Sequence, residues 1–227
     1  MKISKEFSKH AGDYESRNFI QNLVVSKLLS LVKGKPKKIL DLGCGSGAVC
    51  KKIPWEYERF CGVDFAQGML ELHPKSQNIE LISGDFNDSK LFEELRKETY
   101  DYIFSTSALQ WAESLEDVFR RISSLKTPVA LAIFTSNTFK TLNKTASLDS
   151  MLNPKEEIER LQKKYFGAKF EIVEYRLEFE NTREMFRYIK RSGVSGSRNL
   201  LSVTQMKQLM RDYPLSYLEF EVVFISS

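Results

Sequence analysis

Three carboxylates and three glycines carry most of the chemistry this sequence can do. Asp41 precedes Gly43, Gly45 and Gly47 in ILDLGCGSGAVC (39–50), Asp64 closes RFCGVD, and Asp85 closes IELISGD, at intervals of 23 and 21 residues. Glycines let a backbone turn tightly and approach a ligand closely, and the N–H groups of a following helix receive a carboxylate as readily as a phosphate. An acid in the position of Asp64 can accept hydrogen bonds from both hydroxyls of a ribose. A carboxylate under the loop, at Asp41, repels a pyrophosphate but favours an ammonium or sulfonium centre. Asp85 can accept from an exocyclic amine such as adenine N6, with Phe86 beside it as an apolar wall. Read loosely, Gly43 to Ala48 also satisfies the dinucleotide pattern G-x-G-x-x-G/A, which Asp64 serves equally well, and any one of the acids could simply cap a helix. Taken together, the three acids around one glycine loop fit a positively charged adenosine ligand.

The elements around these residues must bring them to one place. From Lys38 onward, short apolar strands alternate with helical stretches: KKILDLG, RFCGVD, IELISGD, YDYIFSTS and TPVALAIFTS. Repeated strand–helix units predict an α/β fold with a doubly wound, mostly parallel sheet, which binds ligands beyond the carboxyl ends of its strands. The spacing of the three acids matches one strand–helix repeat, so all three can converge on one crevice. A helix is predicted over 14–33, before the break at Gly34 to Pro36. After Ser136 the texture changes: NPKEEIERLQKKYF predicts an amphipathic helix and FEIVEYRLEFE a half-exposed strand. Two more helices, TREMFRYIKRSG and SVTQMKQLMRDY, follow with Thr182 and Ser202 as expected N-caps, and YLEFEVVFISS forms a last strand. One domain is expected: a helical cap over 1–36, a ligand-binding core over 37–136, additions on the second-substrate side over 137–213, and the last strand over 214–227.

Composition narrows the setting. With 227 residues and 42% hydrophobic content the chain can bury a substantial core. No stretch approaches the ~20 apolar residues of a membrane helix, and MKISKEFSKH carries charges where a secretory signal is apolar, so a cytoplasmic protein is expected. Cys44, Cys50 and Cys61 have no zinc-motif spacing, and no metal is expected. The net charge of +4 does not demand nucleic acid, although KGKPKK (33–38) offers a basic loop to an acidic partner.

The motifs ILDLGCGSG, GVDFAQGML and SGDF resemble those of class I methyltransferases that bind S-adenosylmethionine. FSKHAGDYESRNFIQ, ALQWAESL, SGVSGSRNLLSVTQMKQL and YPLSYLEFEVVF are further similar to the malonyl-[acyl-carrier-protein] O-methyltransferases of biotin synthesis. The resemblance implies a seven-stranded sheet with an antiparallel final strand and a helical insert or lid. It implies methyl transfer to the free carboxylate of a malonyl thioester, carried on acyl carrier protein or coenzyme A, with S-adenosylhomocysteine as product and no metal. It places Asp41, Gly43, Cys44, Gly45, Asp64, Phe65, Met69, Asp85, Phe86 and Thr106 around the donor. Tyr14 would lie over the donor methyl as an orienting hydroxyl, with Gln21 nearby, and Gln110 and Trp111 would edge the pocket between donor and acceptor. A malonyl carboxylate also needs a positive partner, for which Lys190, Arg191 and Arg198 are the available cluster, unless they form only a solvated helix face; the same cluster, or KGKPKK, could meet the acidic surface of an acyl carrier protein. A monomer without membrane or nucleic-acid partners is expected. Methyl transfer to another small acid or amine, and a non-catalytic donor-binding partner protein, remain as alternatives.

Overall fold

Ile39 to Leu42 are fully buried in β1 (Lys38–Leu42), because this strand lies in the middle of a sheet covered on both faces. A computed structural model of the chain describes residues 19–192 and 202–227. The other strands are β2 (Arg59–Asp64), β3 (Ile79–Ser83), β4 (Tyr102–Thr106), β5 (Val129–Phe134), β6 (Lys169–Glu178) and β7 (Tyr217–Ser226), in the order β3-β2-β1-β4-β5-β7-β6. The first five are parallel; β7 runs antiparallel to both β5 and β6. The sheet is therefore mostly parallel, as the alternation of elements predicts, and seven-stranded, as the resemblance implies. Its β6 edge is half exposed and its penultimate strand β7 is almost wholly buried.

Period-two alternation sends neighbouring strand residues to opposite layers. Ile39, Phe60 and Phe104 join the core under α1 (Phe19–Ser30), while Leu40, Leu42 and Ile103 join the core under α4 (Ser89–Leu95), α5 (Leu115–Ser123) and α7 (Lys155–Tyr165). α1 buries Ile20, Val24, Val25, Leu28 and Leu29 along one stripe. It occupies the described part of the helix predicted over 14–33, and it ends before Gly34, whose φ is +78°.

Strand order reverses between β1 and β4. β2 and β3 lie to one side of that junction and β5 to the other, so the loops leaving β1 and β4 diverge and open a crevice. Short helices α2 (Ala48–Lys52) and α3 (Gln67–Glu71) follow β1 and β2. The later chain adds α6 (Lys140–Ala146), α8 (Thr182–Ser192) and α9 (Val203–Asp212). Sequence periodicity does not indicate α6, and it buries no residue. Its start is set by tertiary contacts instead: Phe139 at φ +57° packs on Phe220, and the Glu219 carboxylate accepts from Thr141 N. Ser202 caps α9 in a capping box with Gln205, as expected. The cap of α8 differs by one residue: Asn181 Oδ1, not Thr182, accepts from the N–H of Glu184.

Candidate active site

The glycine loop is pinned to the second strand. Gly43 N and Cys44 N both donate to Val63 O, at 2.8 and 3.0 Å, and Gly45 N donates to Asp64 Oδ2 at 2.8 Å. Asp64 Oδ1 accepts from Ala66 N at 2.8 Å. Two backbone donors thus fix the plane of this carboxylate, yet each oxygen of an ionised carboxylate retains capacity for another hydrogen bond. Asp64 is held ready for two hydroxyl donors.

Gly43 takes φ +74°, and a Cβ there would lie 2.3 Å from Ala108 Cβ, so the loops after β1 and β4 touch at the point of reversal. Gly43→Ala is accordingly expected to destabilise the fold by about 2–3 kcal/mol, from left-handed strain plus overpacking. Gly34→Ala, with a similar φ and nothing within 4 Å, supplies the strain-only control. Thermal unfolding of the two variants separates these contributions, and equal losses would show that the loops part freely.

Asp41 shares the face of Ile39 and lies wholly buried beneath the loop. Neither of its oxygens has a hydrogen-bond partner among the described residues. Burial, reinforced by the nearby Asp64 carboxylate, pushes its pKa up to about 8. The same burial, with Asp41 next in importance, raises the Cys44 thiol far above the usual range, so this cysteine lines the site as an inert thiol. Of the eight buried side-chain polar atoms without a partner among the described residues, six belong to Gln21, Asp41, Thr106, Ser107 and Gln110. Buried polar atoms are normally satisfied. Gln21, Thr106 and Ser107 line one crevice, with Asp41 beneath its glycine loop, which marks a place built for a polar ligand.

That crevice encloses about 820 Å³. Gly43, Cys44, Gly45, Asp64, Phe65, Met69, Phe86 and Thr106 line it, as expected from the sequence, and so does Trp111, 46% exposed. Phe65 is 73% exposed, unusual for so large an apolar side chain, and with Met69 and Leu72 it gives the opening an apolar rim. Ser107, where the chain leaves β4, adopts φ +56°, a costly conformation for a residue with a side chain.

Three expected residues do not line the crevice: Asp41 lies wholly buried beneath the glycine loop, and two others stand elsewhere. Gln110 is buried behind its loop and not at the edge of the crevice, because its amide Nε2 donates to Ser107 O at 2.7 Å within the turn of Leu109–Trp111. Asp85 follows two residues after β3 but is exposed and does not line the crevice. Its Oδ1 accepts from both Asn87 N and Asn87 Nδ2, which leaves Oδ2. Tyr14 and Arg198 lie outside the described residues, as do the side chains of Lys190 and Arg191 in α8. KGKPKK sits at the amino end of β1, the opposite end of the sheet from the crevice.

The sequence reading passes over Asn22, Val25, Lys51 and Lys52, which also line the crevice. Lys52 Nζ donates to Asn22 O and Ser26 Oγ, at 3.0 and 3.3 Å, tying α2 to α1. Lys51 has no ion-pair partner among the described residues and presents a cation to a carboxylate. Its placement one turn beyond the glycines is the only signal that could have revealed it.

The site fits a cationic nucleoside better than a dinucleotide. A pyrophosphate would lie against two neighbouring carboxylates, whereas an ammonium or sulfonium would give the orphaned Asp41 oxygens an opposite charge.

Comparison with known proteins agrees. Residues 39–128 match a family described as "Methyltransferase domain". Together with the strand order and the glycine loop, this makes the fold that of a class I methyltransferase, and the chain resembles, more particularly, the malonyl-[acyl-carrier protein] O-methyltransferases. A protein of that name from Legionella pneumophila is 34% identical over 152 residues, covering 62% of this chain and 52% of its own length. Another, from Chlorobium luteolum, is 25% identical over 85% of this chain and 78% of its own. The chain thus spans about half the length of the first of these relatives. Phosphoethanolamine N-methyltransferase 2 of Haemonchus contortus, solved with S-adenosylhomocysteine, superposes with a TM-score of 0.55 at 17% identity, over 99% of this chain and 58% of that one.

Proposed function

We propose that the protein transfers a methyl group from S-adenosylmethionine to the free carboxylate of a malonyl thioester. The single observation that carries the donor assignment is the buried, unpartnered Asp41 beneath a glycine loop whose neighbour Asp64 is already oriented by two backbone donors. The names of the relatives support the acceptor.

S-adenosylmethionine supplies an electrophilic methyl on a sulfonium, which a carboxylate oxygen takes by in-line displacement as S-adenosylhomocysteine leaves. The nucleophile is already an anion, so the chain needs to contribute alignment at roughly 3 Å and exclusion of water more than acid–base chemistry. Asp64 accepts from the ribose hydroxyls and Asp41 favours the cationic end. Phe65, Met69 and Phe86 shield the rings. Tyr14 orients the methyl from above, Trp111 borders the acceptor, and Gln110 holds the loop that carries it. Lys51, or Lys190, Arg191 and Arg198, supplies the cation for the malonyl carboxylate.

Expression in a biotin-requiring strain that lacks its own malonyl methyltransferase tests this reading: growth without biotin is expected, and failure despite soluble expression counts against the malonyl acceptor. A second reading, methyl transfer to a different small acid, draws on the family match ending at residue 128, short of the acceptor side. Competition between malonyl-carrier protein and free dicarboxylates separates the two, since the second reading requires the free acids to react faster.

A further inference from the structure

The net charge of this chain is not spread over its surface. Residues 179–216, which link β6 to β7, contain seven basic and three acidic residues, whereas the remainder contains 27 of each. The whole excess of +4 therefore belongs to the segment that forms α8 and α9.

Topology puts this segment at the crevice end of the sheet. β5 ends at Phe134, which pairs with Val222, and Val222 pairs in turn with Val173. The β6–β7 ladder then continues for five more pairs, from Glu174↔Glu221 to Glu178↔Tyr217, about 17 Å beyond β5. It carries α8 and α9 past the carboxyl ends of the parallel strands. Met185, Tyr188 and Leu209 anchor the two helices in the apolar cluster that includes Ile20 and Val24 of α1, the helix whose Gln21 and Asn22 line the crevice.

Four of the exposed side chains of α8 and α9 are cations. Arg183 and Arg187 are exposed and one helical turn apart on α8; Lys207 and Arg211 repeat that spacing on α9. Lys190 and Arg191 occupy the next turn of α8 in the sequence. Several basic side chains elsewhere find carboxylates: Arg59 with Glu80 and Glu98, Arg160 with Glu116 and Glu157, Lys27 with Glu171. Arg183, Arg187, Lys207 and Arg211 form no ion pair among the described residues. A charge excess without ion-pair partners at the crevice end of the sheet is the arrangement that steers an oppositely charged macromolecule toward that end.

We infer that the exposed faces of α8 and α9 are the docking surface for an acidic acyl carrier protein, presenting its thioester to the crevice. The inference takes the partner's identity from the function proposed above. It assigns docking to this hairpin and not to KGKPKK, which lies at the far end of the sheet.

Two charge-reversal variants test it: Arg183→Glu with Arg187→Glu, and Lys207→Glu with Arg211→Glu. Binding is read first, without turnover, as anisotropy of fluorescently labelled holo-carrier protein titrated with the full chain at low salt. Wild type is expected to bind, each variant at least tenfold more weakly, and the difference to shrink as salt rises. Turnover then splits two acceptors: the KM for malonyl-carrier protein should rise by a similar factor, while the KM for S-malonyl-pantetheine and the donor Kd stay unchanged. Unchanged carrier binding in both variants, equal losses for both acceptors, or tighter binding of duplex DNA or anionic vesicles than of carrier protein would overturn the docking assignment. Carrier binding that depends on these residues, without methylation of either thioester, would uphold docking and reject the proposed reaction.

Discussion

Replacing Asp64 with alanine is expected to weaken S-adenosylmethionine binding by at least a hundredfold. A hydrogen bond to a charged acceptor contributes about 1.5–3 kcal/mol, so losing two from the ribose costs about 3 kcal/mol or more, and about 1.4 kcal/mol corresponds to a factor of ten. The residue does a second task that adds to the loss. Its oxygens hold Gly45 N and Ala66 N, each at 2.8 Å, and without them the glycine loop and the turn into α3 lose their common anchor. Asparagine at 64 should rescue only part of the affinity, because its amide group would confront one of those backbone donors with another donor. Calorimetric titration of the three proteins checks the order, wild type tightest and alanine weakest. A loss of tenfold or less for alanine would mean that Asp64 serves the loop alone and the ribose lies elsewhere.

Asp41→Asn should change stability in proportion to pH. The folded pKa of Asp41 lies near 8 against an ordinary value of 3.8, so between those limits the folded chain holds a proton that the unfolded chain has released. Stability due to this group is then greatest below pH 4 and falls by about 1.4 kcal/mol per pH unit as pH rises to about 8, where it levels off. Asparagine cannot titrate, and its buried amide imposes a cost that does not vary with pH. The variant should therefore gain on wild type steadily from pH 4 to pH 8, with the slope and not the offset as the signature. Donor affinity should move the other way, since the variant can no longer oppose the sulfonium or ammonium with a carboxylate. Parallel pH profiles of unfolding for the two proteins would show that Asp41 is ionised and satisfied in the native state, and would remove the principal electrostatic argument for a cationic ligand.

Much of this site can be read from the chain because its parts are local. The loop glycines, Asp41 and Asp64 sit where apolar strands of β1 and β2 end, and a parallel sheet brings strand ends together wherever its helices pack. The acids at 41 and 64 converge as their spacing implies, and the Asp64 carboxylate adds to the burial that raises the pKa of Asp41. What the sequence conceals is decided by short contacts between distant segments. Asp85 has the right spacing, but a local turn through Asn87 occupies one of its oxygens. Gln110 bonds its own loop and so faces away from the crevice. Helix α6 has no apolar stripe to betray it, because Phe139 and Glu219 fix its start from outside. Lys51 looks like one charge among many until α2 is folded onto the glycine loop. The cations of α8 and α9 likewise read as two ordinary solvated helices, until the length of the β6–β7 ladder shows which end of the sheet they occupy.

The central claim is methyl transfer to the malonyl carboxylate, and the most direct test follows the methyl carbon itself. The purified chain is incubated with S-adenosylmethionine carrying a carbon-13 methyl and with malonyl-carrier protein, and the product is examined by carbon NMR and by mass spectrometry of the released acyl arm. The account predicts a labelled methyl ester on the carboxylate remote from the thioester, formed in step with S-adenosylhomocysteine. A labelled methyl found elsewhere on the acceptor, or no transfer with enzyme equimolar to substrate, would contradict it.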